Sequence, residues 1–223
     1  MKLTDLENAI ALNGGENMRI LEHGQEREKT LLFLPCTAEP VWAFEKTVAL
    51  LAQLWHVFQV VYDGHEPAYP SDFASVEQTV DEITDYLRAH GVSCLDAAYG
   101  CSLGGACLTR LLALGELPVR RAIIDGGITP YQLPYLMRKL LLVRDVLSFK
   151  LAAGNRKILE AAFPPERFTL PGHDPKKEYD AIEAYLKTYS DQTIRNVFWS
   201  GNNYALPKMP AQIDTRITYW YGD

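Results

Sequence analysis

The most constraining stretch of the chain is Ala98-Tyr99-Gly100-Cys101-Ser102-Leu103-Gly104-Gly105-Ala106. A short apolar run, Cys94 to Tyr99, leads into it, and Ala106 to Leu114 follows with helical periodicity, so the order is strand, sharp turn, helix. Gly100, Ser102 and Gly104 fit G-x-S-x-G, the spacing of a turn that lifts a serine hydroxyl above a sheet. Strand and helix pass close together at such a turn, and a side chain at either glycine would clash. The helix also points its N-terminus at the serine, so free N–H groups favour a developing negative charge there. The Leu103 N–H is then one oxyanion donor. The pattern alone also suits a tight strand-to-helix turn whose serine only caps the helix, so its surroundings decide.

Those surroundings alternate strand and helix. Met18 to His23 alternates weakly, as an antiparallel edge strand does, and Thr30-Leu31-Leu32-Phe33-Leu34-Pro35 is a near-continuous apolar run of the kind buried on both faces of a parallel sheet. Trp42 to Trp55 carries apolar residues at helical spacing, His56 to Tyr62 is a further buried strand, and Asp72 to His90 is a helix with Val76, Val80, Ile83 and Leu87 on one face. Arg120 to Gly127 supplies another strand. From Thr129 to about Pro210 the pattern is helical and broken by prolines and glycines, before Thr215 to Tyr221 resumes the strand pattern. The expected fold is α/β, a doubly wound, mostly parallel sheet, with residues 1–128 and 211–223 as the core and 129–210 as an inserted helical cap. In such sheets ligands sit beyond the carboxyl ends of the strands, where the loops after Leu34, Tyr62, Tyr99, Ile124 and Tyr221 surround Ser102.

At 223 residues the chain is long enough for one α/β domain with an insertion, and its net charge of −6 argues against a nucleic-acid or acidic-membrane partner. No apolar run of membrane-spanning length and no leader pattern is read, which places the protein in the cytoplasm. Cys36, Cys94, Cys101 and Cys107 show neither metal-ligand nor secreted-disulfide spacing and are read as reduced thiols, buried or half-buried. No metal or organic cofactor is implied.

With these residues in place the chain resembles the α/β-hydrolase fold family over nearly its whole length. The resemblance rests on the apolar strand ending Leu34-Pro35, His56-Val57 opening the next strand and Asp63-Gly64 closing it, the elbow from Gly100 to Gly105, a helical stretch after Asp125, and the strand ending Tyr221-Gly222-Asp223. It implies a serine hydrolase acting on a small ester, thioester or amide, with Ser102 as nucleophile and Leu103 plus Cys36 or Thr37 as oxyanion donors. Many members carry His-Gly where this chain has Pro35-Cys36-Thr37.

The family order is nucleophile, acid, then histidine. Asp223 matches the acid position, with Asp125 as the alternative, while none of His23, His56, His65, His90 and His173 lies where the base belongs. The last strand, last helix and catalytic histidine are therefore expected beyond Asp223. His65 and Cys101 are placed at the pocket, although Cys101 occupies the x position of the motif and suits packing better than nucleophilic attack. His23, His56 and His90 read as structural, and His173 as a surface residue of the cap. Aromatic residues of the cap, among them Tyr135, Phe149, Tyr185, Tyr189, Phe198 and Trp199, could roof an apolar pocket. The partner implied is a small acyl substrate, with a homodimer left open. Two other readings stand: a carbon–carbon bond hydrolase or lyase of the same fold, and a non-catalytic ligand-binding protein.

Overall fold

A computed structural model of the chain describes residues 19–130, 133–164 and 174–221, so Asp223 and His173 lie outside the described residues. Six strands form one sheet in the order β1-β3-β2-β4-β5-β6: β1 Arg19–His23, β2 Thr30–Leu34, β3 His56–Val61, β4 Ala97–Cys101, β5 Arg121–Asp125 and β6 Arg216–Trp220. Every pairing is parallel except β1 on β3, so the weakly alternating first run is indeed the antiparallel edge. Seven α-helices accompany the strands among the described residues: α1 Glu45–Leu51, α2 Val76–Ala89, α3 Leu103–Leu114, α4 Tyr135–Gly154, α5 Arg156–Ala162, α6 Pro175–Leu186 and α7 Asp191–Asn203.

Alternation along the central strands divides the core between the two faces of the sheet. Leu32, Leu34, Phe58 and Val60 face α2 and α3, where Val80, Ile83, Leu108 and Leu111 meet them fully buried. Leu31, Phe33 and Val57 face the other way, onto Val48 of α1 and the half-buried Phe44 and Trp55. Among the described residues four helices intervene between β5 and β6, and α4 to α6 gather a separate apolar cluster around Leu159, Tyr179, Ile182 and Tyr185. Helix α7 bridges the two, since Val197 and the following Tyr204 join the main core while Ile194 joins the smaller cluster.

Three elements differ from their sequence periodicity. The helix read from Asp72 starts at Val76, because the backbone before it is held by α7: Phe73 N–H donates to Thr193 Oγ1 at 3.1 Å, and Asn196 donates to the Phe73 carbonyl at 2.8 Å. Ser75 then caps α2, its hydroxyl accepting from the Gln78 N–H at 3.1 Å. The run from Trp42 to Trp55 divides into a 3-10 turn at Val41–Phe44 and the seven residues of α1. It stops where the β1–β2 turn crosses it: a Cβ on Gly24, whose φ is +65°, would stand 2.6 Å from the Ala52 carbonyl oxygen. Finally β4 begins at Ala97 rather than Cys94, since the ladder with β2 starts at Leu31 and Ala97, and the Asp96 carboxylate is used to accept from the Thr30 N–H at 3.0 Å.

Candidate active site

Ser102 closes β4 and heads α3 with φ 49° and ψ −107°, a backbone conformation that a non-glycine residue adopts at a cost of about 1–3 kcal/mol. The surrounding packing enforces it. An added Cβ on Gly100 would lie 2.4 Å from the Gly104 carbonyl oxygen, and one on Gly104 would lie 2.2 Å from the carbonyl oxygen of Leu34 and 2.8 Å from that of Pro35. Every atom named is backbone, so nothing can rotate aside. The Ser102 N–H is anchored to the Asp125 carbonyl at 2.9 Å, which ties the elbow to the end of β5. No described side chain hydrogen-bonds the Ser102 hydroxyl, and the Leu103 N–H, at the first turn of α3, has no intrahelical acceptor.

The second half of the site is the loop Pro35 to Ala38, which the same contact at Gly104 presses against the elbow. Neither the Cys36 nor the Thr37 N–H is taken up by a main-chain acceptor among the described residues. The loop is held from outside instead. The Tyr62 hydroxyl donates to the Pro35 carbonyl at 3.0 Å, and the Ala38 N–H, at a residue with φ 65°, donates to the Tyr189 hydroxyl at 3.1 Å. Tyr189 is joined hydroxyl to hydroxyl with Tyr185 of α6 at 3.2 Å, and Tyr185 donates to the His65 carbonyl at 2.6 Å.

His65 completes this clamp. Its Nδ1 donates to the Asp63 carbonyl at 2.9 Å, which leaves Nε2 as the acceptor for the Thr37 hydroxyl, also at 2.9 Å. Rings of Tyr62, Phe73 and Tyr189 surround it. Burial pushes its pKa down to about 4, only partly offset by the Asp63 hydrogen bond, so the ring is neutral at neutral pH. A small cavity beneath the loop is lined by Pro35, Cys36, Glu39, Tyr62 and His65 among others. His65 thus lies against the loop from Pro35 to Ala38, bound to Thr37 rather than to Ser102.

The other described histidines are engaged elsewhere: His23 with Gln59 at 3.2 Å, His56 with Glu22 at 2.6 Å, and His90 with the Tyr86 carbonyl at 2.8 Å. No described histidine is hydrogen-bonded to Ser102. Asp125 ends β5 one strand away from the elbow, but its carboxylate already accepts from the Tyr99 hydroxyl at 2.7 Å. Tyr99 is itself fixed by stacking on Phe33, with centroids 5.3 Å apart.

Ser102, Leu103, Cys36 and Thr37 are therefore brought to one spot, with Cys101 and Asp125 beside them. Sequence reasoning placed Tyr185 and Tyr189 only among the aromatic residues of a pocket roof and missed that they, with Tyr62, hold the loop; it also missed Glu39, whose carboxyl is pushed up by burial next to Cys36. A tyrosine's role of this kind has no local signature, since its partner lies far along the chain.

No family model matches the sequence, and no curated protein matches it either. Solved structures do match in fold. An alpha/beta hydrolase family protein from Desulfitobacterium hafniense is 15% identical with a TM-score of 0.65, over 90% of this chain and 78% of its own. An esterase from a marine microorganism is 11% identical with a TM-score of 0.59, over 91% and 90% of the two chains. The enol-lactonase of Burkholderia xenovorans LB400 is 12% identical with a TM-score of 0.53, over 83% and 68%. Together with the strand order and the elbow, these likenesses establish that the chain has the α/β-hydrolase fold.

Proposed function

We propose that the protein is a serine hydrolase of small acyl substrates. The observation that carries this reading is Ser102 itself, held at φ 49° by glycine contacts at the head of α3 with its hydroxyl uncommitted. Such strain is kept where it serves a reaction. Ser102 Oγ attacks the acyl carbonyl, and its proton passes to a base as the C–O bond forms. The oxyanion is received by the Leu103 N–H and by that of Cys36 or Thr37, each donor contributing about 3 kcal/mol to the barrier in comparable sites. The alcohol, thiol or amine then leaves with a proton, and water releases the acyl group from Ser102.

Base and acid come from outside the described residues in this reading. With the Asp125 carboxylate bound to Tyr99, Asp223, which follows β6 in sequence, is the preferred acid, orienting the histidine that takes the Ser102 proton. Helices α4 to α7 act as the lid, and the Tyr185 and Tyr189 hydroxyls couple it to the oxyanion loop. That the structural neighbours include an esterase and an enol-lactonase supports ester chemistry as the first assay. The test is hydrolysis of p-nitrophenyl esters of increasing acyl length: turnover lost by at least about 10⁴-fold in Ser102→Ala, with an unchanged circular dichroism spectrum, is the expected outcome. Equal turnover in Ser102→Ala overturns the assignment.

A further inference from the structure

Helix α4 is apolar on two sides, and the described residues cover one of them. Its inner face packs into the cap cluster, where Ala153 is buried and Val146, Phe149 and Ala152 are partly buried. Phe149 lies on Tyr189, which holds the Ala38 N–H, with ring centroids 5.4 Å apart. On the outer face Leu136, Leu140, Val143, Leu147 and Leu151 recur every three or four residues. At 3.6 residues per turn they fall within about 80° of the helix circumference, along about 22 Å of its length. Among the described residues these five stay between 55% and 70% exposed. A helix that is apolar all round is ordinarily buried all round.

With the exposed Met137 on its rim, the stripe presents on the order of 700 Å² of apolar surface. The largest patch on a monomer is typically about 300–600 Å², and a stable interface takes about 800 Å² from each partner. The spacing of the stripe selects the occupant. Leu136 and Leu151, and likewise Leu140 and Leu147, stand symmetrically about the point between Val143 and Arg144. A twofold axis at that point lays a second α4 antiparallel on the first, with Leu140 against Leu147 of the other copy and Leu136 against its Leu151. The stripe is therefore complementary to itself. The cations along its rim are engaged within the chain: Lys150 pairs with Asp191 and Arg144 with Asp145, both at 2.6 Å, and Lys139 lies over the Trp199 ring at 4.3 Å. Apolar contact, rather than charge, thus chooses the partner.

We propose that the outer face of α4 is a docking surface for a second copy of this chain, forming a twofold dimer through antiparallel α4 helices. The two leucine stripes interlock side by side, as ridges of one helix enter the grooves of another. Each copy carries a net charge of −6, so apolar burial drives the association against mutual repulsion, and salt that screens the charges tightens it. The contact backs the helix whose inner face reaches, through Phe149 and Tyr189, the loop from Pro35 to Ala38. Dimer formation does not depend on the hydrolase reading.

The experiment is sedimentation equilibrium of the full chain from submicromolar to high micromolar concentration, at low and at high salt. A monomer–dimer equilibrium that tightens with salt is the expected result. Leu140→Glu and Leu147→Lys, each at an exposed position, should leave the circular dichroism spectrum unchanged and weaken dimerisation by about 30-fold or more. Combining the two should restore the dimer, because residue 140 of one copy meets residue 147 of the other, whereas within one helix the two lie about two turns apart. A chain that is monomeric at every concentration overturns the proposal, as does a dimer that both single variants leave intact. Single variants that break the dimer, with no recovery in the double variant, overturn the twofold register. A monomer that binds phosphatidylserine vesicles, and loses that binding in Leu140→Glu, overturns the proposal by giving the face to lipid.

Discussion

The two edges of the sheet are built differently. At the β1 edge Ile20 and Leu21 are 1% and 3% exposed, covered by the main core and by Val41 and Tyr69. At the β6 edge Ile217, Tyr219 and Trp220 are 38%, 58% and 51% exposed, although β6 pairs with β5 along its whole length. Hydrogen bonding is thus satisfied on one side of β6 while burial is nearly absent. The difference shows where this fold's packing is concentrated: the strained serine, the loop from Pro35 to Ala38 and the tyrosines that hold it all lie on β2, β4 and what packs there.

If that comparison is right, substitutions should rank by how tightly the substituted position is packed. The largest effect is expected for Gly104→Ala, whose added methyl meets only backbone of Leu34 and Pro35. It should cost about 3 kcal/mol or more in denaturant unfolding and abolish fluorophosphonate labelling, since strand or loop must move. Ile20→Ala, at the covered edge, should follow with a loss of about 2–4 kcal/mol. A cost near zero there would erase the contrast between the edges.

His65 gives a pH-dependent test of the clamp. Its folded value of about 4 lies below the ordinary 6.5, so the unfolded chain takes up a proton that the folded chain refuses. Full stability is present above about pH 6.5 and is lost progressively as pH falls toward 4, by up to about 3 kcal/mol. His65→Gln should remove that slope between pH 6.5 and 4, measured as the difference in unfolding free energy from the unsubstituted protein. An identical slope in both would show that His65 is not held neutral against Thr37.

The smallest effect belongs to the bare edge. Ile217→Ala is expected to change stability by no more than about 0.5 kcal/mol, because it removes side chain that is already partly in water. A loss as large as that of Ile20→Ala would mean that β6 is covered in solution.

How much of this was legible in the sequence follows the range of the interactions. The elbow was readable because its causes are local: two glycines and a serine lie within five residues, and the helix follows at once. The parallel strands were readable because burial on both faces writes a continuous apolar run. The late start of α2 was not, since Phe73 is held by Thr193 and Asn196, more than a hundred residues away along the chain. His65 was placed at the pocket from its position after a strand, but its role depends on Thr37, Tyr185 and Tyr189, which only the tertiary structure brings to it.

The most direct measurement is fluorophosphonate labelling of the natural gene product, with the adduct located by peptide mapping and Ser102→Ala as control. One adduct, on Ser102 and absent from the variant, is the result expected of an activated serine at the elbow. A folded protein left unmodified, or one modified at another residue, would contradict it.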